Sequence, residues 1–83
     1  MDLESKLKFF LIEKEDDHLI NFNEIFQNDH PVQIEIGSGK GEFIMMQSLF
    51  HHYINFVGIE LKHKRIITTV KKLDTIKNKN VRL

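Results

Sequence analysis

Three short runs of β-branched and apolar residues predict three strands, over residues 32–36, 55–60 and 80–83. The first run ends abruptly in a glycine turn over residues 37–41. Segments with helical periodicity separate the runs, so the predicted order is strand, helix, strand, helix, strand. That order favours an α/β fold in which parallel strands are joined by right-handed crossovers and helices pack on the sheet.

Two segments between these strands place apolar residues at helical spacing. The first is predicted to be a helix that ends near His51 or His52. Its buried stripe is predicted to comprise Phe43, Met46, Phe50 and Tyr53, with Leu49 beside them. The second predicted helix covers residues 63–78, and its buried stripe comprises Ile66, Val70 and Leu73.

The segment before the first strand is less regular. Residues 7–12 predict a short strand, and residues 21–27 predict a short helix that begins at Asn21 or Asn23 as its N-cap. A chain of 83 residues with 41% hydrophobic content can bury one small core. The only proline, Pro31, opens the first strand segment. We therefore divide the chain into an N-terminal lead-in over residues 1–30 and a strand–helix unit over residues 31–83.

Composition excludes several classes of protein. The chain has no cysteine, which excludes a disulfide framework and a cysteine-based zinc finger. The longest apolar stretch near the start is four residues, too short to span a membrane, and acidic residues occupy the place of a basic signal-peptide region. These features predict a soluble cytoplasmic protein.

The net charge of zero conceals a separation of charge along the chain. Residues 1–61 hold four Lys and eleven Asp or Glu, whereas residues 62–83 hold eight Lys or Arg and one Asp. A basic segment can approach phosphate groups or can be a solvated helix face. Lys62, Lys64 and Arg65 are placed to contact RNA phosphates or to be ordinary helix N-terminal residues, and both interpretations stay open.

The candidate chemistry lies at the carboxyl ends of the first two strands, where open parallel sheets bind ligands. The glycines are at positions 37, 39 and 41, and Glu42 stands where a dinucleotide-binding G-x-G-x-x-G turn would have its third glycine. The spacing of a phosphate-binding G-x-x-x-x-G-K-[ST] loop is also absent. The spacing therefore favours a ligand without phosphates over a dehydrogenase-type dinucleotide.

Two carboxylates flank the glycine turn. Glu60 ends the second strand, where a carboxylate can accept hydrogen bonds from both hydroxyls of a ribose. Glu35 lies in the first strand, where it is either an exposed strand residue or the partner of a cationic group such as an amino group. Lys40 faces either the ligand or solvent. The histidines share no metal-ligand spacing, so no metal site is expected; they are His18, His30, His51, His52 and His63.

Three sequence blocks follow one another along the chain: residues 31–43 read PVQIEIGSGKGEF, residues 55–60 read NFVGIE, and residues 80–82 read NVR. The order of these motifs resembles the bacterial tRNA (guanine-N7-)-methyltransferases. An E-x-G-x-G-x-G turn is typical of class I methyltransferases in general, whereas its pairing with G-I-E and N-V-R is more specific. The resemblance spans about residues 22–83.

The resemblance implies the N-terminal portion of a Rossmann-like class I methyltransferase fold with S-adenosylmethionine as cofactor. The implied cofactor-binding residues are Glu35, Gly37, Ser38, Gly39, Gly41 and Glu60. The implied reaction is methyl transfer to N7 of a guanine in the variable loop of tRNA.

In the family, the residues that hold the guanine and the acidic residue that contacts the adenine lie beyond position 83. We therefore expect no catalytic residue in the chain and little or no activity from the chain alone. A non-catalytic module that binds S-adenosylmethionine or a nucleotide is the alternative.

Overall fold

The computed structural model describes residues 2–13, 19–77 and 79–83. The elements are α1 (Leu3–Phe10), α2 (Phe22–Phe26), β1 (Val32–Ile36), α3 (Glu42–Phe50), β2 (Asn55–Ile59), α4 (His63–Leu73) and β3 (Val81–Arg82). From β1 onward, strands and helices alternate as predicted.

The three strands form one parallel sheet in the order β1-β2-β3. Ile34 of β1 lies opposite Val57 of β2, and Val57 lies opposite Arg82 of β3. Because the strands are parallel and in sequence order, their carboxyl ends meet at one edge of the sheet, where β1 turns into α3 and β2 turns into α4. The predicted α/β, Rossmann-like fold class is confirmed.

The core lies between the helices and one face of the sheet. Phe56 and Val81 are cross-strand partners on this face, and both are buried. The buried cluster comprises Phe10, Ile44, Phe56, Val70, Leu73 and Val81. On the opposite face, Ile34 and Ile59 remain partly exposed. The helices therefore fix the orientation of the strand ends from one side of the sheet.

The prediction of a strand over residues 7–12 is wrong, because α1 occupies most of that segment. The Asp2 side chain accepts a hydrogen bond from the Ser5 backbone N–H at 2.8 Å and caps the helix. Glu4 in the first turn and Lys8 in the last turn suit the helix dipole. These local signals, together with the burial of Phe10, outweigh the β propensity of the apolar run.

Beyond α1 the chain does become extended, and it runs beside β3. The Leu83 N–H donates to the Phe10 carbonyl at 2.8 Å, and the Ile12 N–H donates to the Leu83 carbonyl at 2.8 Å. A salt bridge of 3.1 Å between Lys6 and Asp74 ties α1 to the end of α4. The lead-in thus contacts the C-terminal part of the strand–helix unit. The division at residue 30 stays a prediction.

The predicted buried stripe of α3 is also wrong. Phe43 is 59% exposed and Phe50 is 75% exposed, and Met46, Leu49 and Tyr53 are exposed as well. The helix turns Ile44 and Ser48 toward the sheet instead. Gly58 explains this orientation, because a Cβ on Gly58 would lie 3.1 Å from the Ile44 side chain. Apolar residues occur on every side of α3, so their spacing did not single out the buried side.

The remaining helix predictions are largely confirmed. The Asn21 side chain accepts from the Glu24 N–H at 3.2 Å, so Asn21 rather than Asn23 is the N-cap of α2. Helix α3 ends at Phe50 with His51 as its C-cap. Helix α4 ends at Leu73, earlier than predicted, although Val70 and Leu73 are buried as expected.

The N-V-R segment has a structural part in this fold. The Asn80 side-chain amide donates to the carbonyls of Ser48, His51 and Ile54, at 3.3, 3.1 and 2.9 Å. The Arg82 guanidinium is buried and lies 4.2 Å from the centre of the Phe9 ring. Both side chains therefore contact the protein interior rather than the edge where the strands end.

Candidate cofactor site

The glycine turn is held against the end of β2 by backbone hydrogen bonds. The N–H groups of Gly37 and Ser38 both donate to the Ile59 carbonyl, at 2.7 and 3.1 Å. Gly37, Gly39 and Gly41 all have positive φ, at 73°, 60° and 81°. These conformations are costly for residues that carry a Cβ, which explains the glycine at each position.

The three glycines nevertheless have different structural roles. A Cβ on Gly37 or Gly39 would meet nothing within 4 Å, so both glycines border open space where a ligand can approach the backbone. A Cβ on Gly41 would overlap the side chain of Thr69 on α4, with the Oγ1 atom only 2.7 Å away. Gly41 is therefore required for packing as well as for its backbone conformation.

Glu60 connects the end of β2 to the glycine turn. Its Oε2 atom accepts from the Gly39 N–H at 3.0 Å, and its Oε1 atom accepts from the Lys62 N–H at 3.2 Å. The Arg65 guanidinium lies 3.8 Å from Oε1. The Glu60 side chain is only 7% exposed. Sequence and structure thus agree in placing this carboxylate directly beside the turn.

The surroundings of Glu60 keep its carboxylate ionised. The hydrogen bonds from the backbone N–H groups of Lys62 and then Gly39 lower its pKa, and the positive charges of Arg65 and Lys62 act in the same direction. Each carboxylate oxygen can accept more than one hydrogen bond. The group can therefore hold the turn and still accept hydrogen bonds from a ligand.

Thr69 and Arg65 support this arrangement from α4. The Thr69 hydroxyl is directed at the carbonyls of Arg65 and Gly39, at 2.9 and 3.3 Å. Thr69 is buried, whereas Arg65 is exposed. Sequence reasoning did not assign Thr69 to the site, because its contact depends on how α4 packs against the turn.

Ser38 lies beneath the turn. It is buried, and its Oγ atom lacks a hydrogen-bond partner among the described residues. A Cβ on Gly58 would lie 3.0 Å from Ser38 Oγ, so the side chain faces β2. The backbone of Ser38 is the part that shapes the turn.

Glu35 carries a carboxylate without a partner in the described part of the chain. Glu35 is half-buried and lies opposite Gly58 in the sheet, which places its side chain on the face covered by α3. Burial raises the pKa of its carboxyl group. An anion held in this way is suited to a cationic ligand group.

Glu35→Gln is expected to raise the melting temperature slightly at pH 7. The folded-state pKa of Glu35 is above its ordinary value, so its favourable contribution exists at low pH and is lost as pH rises through that pKa. The amide removes this pH-dependent loss. Thermal melts at pH 4 and pH 7 test the prediction, and an equal shift at both pH values would contradict it.

Leu61 is a candidate ligand contact that sequence reasoning missed. It follows Glu60 directly and is 95% exposed. Its exposed apolar side chain follows the carboxylate in the chain, and an apolar surface suits the flat face of a base. The signal was available as an apolar residue immediately after a strand-end acid.

Lys40 and the histidines considered as candidate site residues are not brought together in one site. Lys40 is exposed at the turn. His30 contacts the Tyr53 ring, His51 caps α3, and His52 bonds the Leu49 carbonyl. His63 begins α4, and His18 lies outside the described residues. Within the described ranges, no cluster of three or more potential metal ligands occurs.

A family model described as "Putative methyltransferase" matches residues 29–83, which include every residue of the candidate site. The chain belongs to this methyltransferase family. In the described part of this methyltransferase chain, no helix is long and apolar enough to cross a membrane.

Curated relatives carry the name tRNA (guanine-N7-)-methyltransferase, which confirms the resemblance found in the motifs. The protein from Geobacillus sp. (strain WCH70) is 39% identical over 74 residues, which are 89% of this chain and 34% of the relative. The protein from Bacillus subtilis (strain 168) is 40% identical over 67 residues, which are 81% of this chain and 32% of the relative. The chain thus spans about a third of the length of these relatives.

Proposed function

We propose that the glycine turn and Glu60 bind S-adenosylmethionine. The observation that carries this proposal is the hydrogen bond from the Gly39 N–H to the Glu60 carboxylate, at a turn where Gly37 and Gly39 border open space. A ribose fits the carboxylate because its hydroxyls can donate to the remaining lone pairs. The free carboxylate of Glu35 fits the ammonium group of the methionine moiety.

The residues present are consistent with this cofactor and each has an assigned part. Glu60 would hold the ribose, Glu35 the ammonium group, and Leu61 the adenine. Gly37 and Gly39 would let the ligand approach the backbone, while Gly41 and Ser38 keep the turn in shape. The bound cofactor supplies an electrophilic methyl group on a sulfonium sulfur.

The proposed reaction is methylation of guanine N7 in the variable loop of tRNA, as the names of the curated relatives suggest for the base. Guanine N7 already has a free lone pair, so the reaction needs positioning and an electrostatically suitable site more than a general base. The part assigned to this chain is to bind and orient the cofactor. A cytoplasmic location is proposed together with the tRNA substrate.

Disruption of the gene is expected to remove 7-methylguanosine from the bulk tRNA of the organism that encodes the chain. Mass spectrometry of nucleosides from purified tRNA measures this change. Re-expression of the intact gene is the control and should restore the modified nucleoside. Unchanged 7-methylguanosine after disruption would contradict the proposed reaction.

Cofactor binding by the 83-residue chain separates the proposed ligand from a dinucleotide. Calorimetry should detect binding of S-adenosylmethionine and S-adenosylhomocysteine and none of NAD, because Glu42 replaces the third glycine of the dinucleotide pattern. Binding of cofactor without any change of tRNA modification on gene disruption would favour the alternative of a non-catalytic binding module.

A further inference from the structure

A group of positive charges lies next to the proposed cofactor site, at the start of α4. We call Lys62, Lys64 and Arg65 the cationic rim. All three residues are exposed. The Lys62 backbone N–H donates to Glu60, and the Arg65 guanidinium lies 3.8 Å from the same carboxylate. The rim therefore borders the edge of the sheet at which β1 and β2 end.

The rim charges lie at the N-terminus of α4, where the helix dipole disfavours positive charge. The N-terminus of a helix carries a partial positive charge that favours acidic residues. Helix α4 has no acidic residue in its first turn, and its N-cap residue Lys62 makes no side-chain capping hydrogen bond. The rim charges therefore do not stabilise the helix that carries them.

The two basic residues in the last turn of α4 are explained by a counter-charge or by the helix dipole. Lys72 forms a 3.2 Å salt bridge with Glu42, and both Lys71 and Lys72 lie in the last turn, where the helix dipole favours positive charge. At the rim, Arg65 has a counter-charge in Glu60, but Lys62 and Lys64 have no ion pair within the described part of the chain. These two charges remain available to a partner.

We propose that the cationic rim binds the phosphate groups of the RNA substrate and so holds the target base near the cofactor. Arginine and lysine are the side chains that most often contact nucleic-acid phosphates, and arginine can do so with two parallel hydrogen bonds. The rim itself consists of three exposed charged side chains, which suits an RNA backbone better than a membrane surface, where apolar side chains must also insert. The inference rests on the proposed function for the identity of the RNA.

The test uses the 83-residue chain and a fluorescently labelled, unmodified tRNA transcript. The rim variant is Lys62→Glu with Lys64→Glu, which leaves Arg65 beside Glu60. The matched control is Lys71→Glu with Lys77→Glu, which makes the same change of net charge in the last turn of α4 and just beyond the helix. Fluorescence anisotropy gives the Kd over a series of salt concentrations.

The rim variant is expected to weaken tRNA binding by at least about tenfold and to reduce the slope of log K against log salt by about two. The control should change the Kd by less than about threefold. Acidic residues suit the start of a helix, whereas Lys62→Glu removes a favourable positive charge beside Glu60; because these effects oppose each other, the rim variant should melt close to the wild type. Weak binding therefore cannot be attributed to unfolding.

Several results would overturn the inference. They are equal loss of affinity in the rim and control variants, unchanged affinity in the rim variant, no detectable tRNA binding by the wild type, or tighter binding to phosphatidylserine vesicles than to tRNA. Calorimetry with S-adenosylmethionine on the same samples keeps the two proposals apart. If the wild type binds the cofactor but the rim variant binds tRNA as tightly as the wild type, only the proposal for the rim is contradicted. If the wild type does not bind the cofactor but the rim variant binds tRNA more weakly, only the proposal for the cofactor site is contradicted.

Discussion

Gly41→Ala is expected to lower the free energy of unfolding by about 3 kcal/mol. Two effects combine at this position. A φ of 81° costs a residue with a Cβ about 1–2 kcal/mol, and overlap with the Thr69 side chain adds about 1–3 kcal/mol. Small domains have about 5 kcal/mol of stability or somewhat more, so this loss would leave the chain close to unfolding. Urea denaturation followed by circular dichroism measures it.

Gly37→Ala is the matched control for this prediction. Gly37 has a similar φ of 73° but borders open space, so only the backbone cost of about 1–2 kcal/mol applies. Adding Thr69→Ala to Gly41→Ala removes two of the three overlapping atoms and should recover part of the loss relative to Thr69→Ala alone. Equal destabilisation by Gly41→Ala and Gly37→Ala would show that Thr69 does not limit the space.

The second large effect is expected at Glu60. Glu60→Gln should weaken the binding of S-adenosylmethionine by about 10- to 100-fold, because an amide presents one acceptor oxygen where the carboxylate presents two charged ones. The same change leaves only one of the two backbone N–H groups, of Gly39 and Lys62, with its acceptor. Isothermal titration calorimetry measures the affinity, and Glu24→Gln, at an exposed position of α2, is the control.

The pH dependence of Glu60 follows from its lowered pKa. Its contribution to stability is present above the ordinary pKa of 4.5 and is lost as pH falls through the lower folded-state value. The melting temperatures of the wild type and of Glu60→Gln should therefore differ most near neutral pH and converge in acid. Unchanged cofactor affinity in Glu60→Gln at pH 7 would rule out the ribose assignment.

The strand ends were predictable because two different signals coincide there. The β-branched run of β1 stops at a glycine turn, and β2 stops at an acidic residue, so composition and periodicity both mark the same boundaries. The parallel order then brings Glu60 to the turn. Sequence alone could therefore place Gly39 and Glu60 in one site, although it could not show that they bond to each other.

The sequence could not predict which side of α3 is buried. Its apolar residues surround the helix, and the choice depends on Gly58 in a different element, whose missing side chain admits Ile44. The different structural roles of Gly37 and Gly41 could not be predicted for the same reason, since Thr69 lies 28 residues after Gly41 in the chain. The apolar run over residues 7–12 suits a helix or a strand, so it could not predict α1 by itself. The Asp2 cap is the signal that favours the helix.

The hydrogen bonds between Leu83 and the segment after α1 join residues near the two ends of the chain. Closing a loop of this size must precede those bonds, and the entropy of closure is lost before any contact compensates for it. We therefore expect helix α1 and its core residue Phe10 to dock late, after the sheet has formed. During synthesis, residues 2–13 are made well before Leu83, so the hydrogen bonds that join the segment after α1 to Leu83 can form only after the intervening strands and helices have been made.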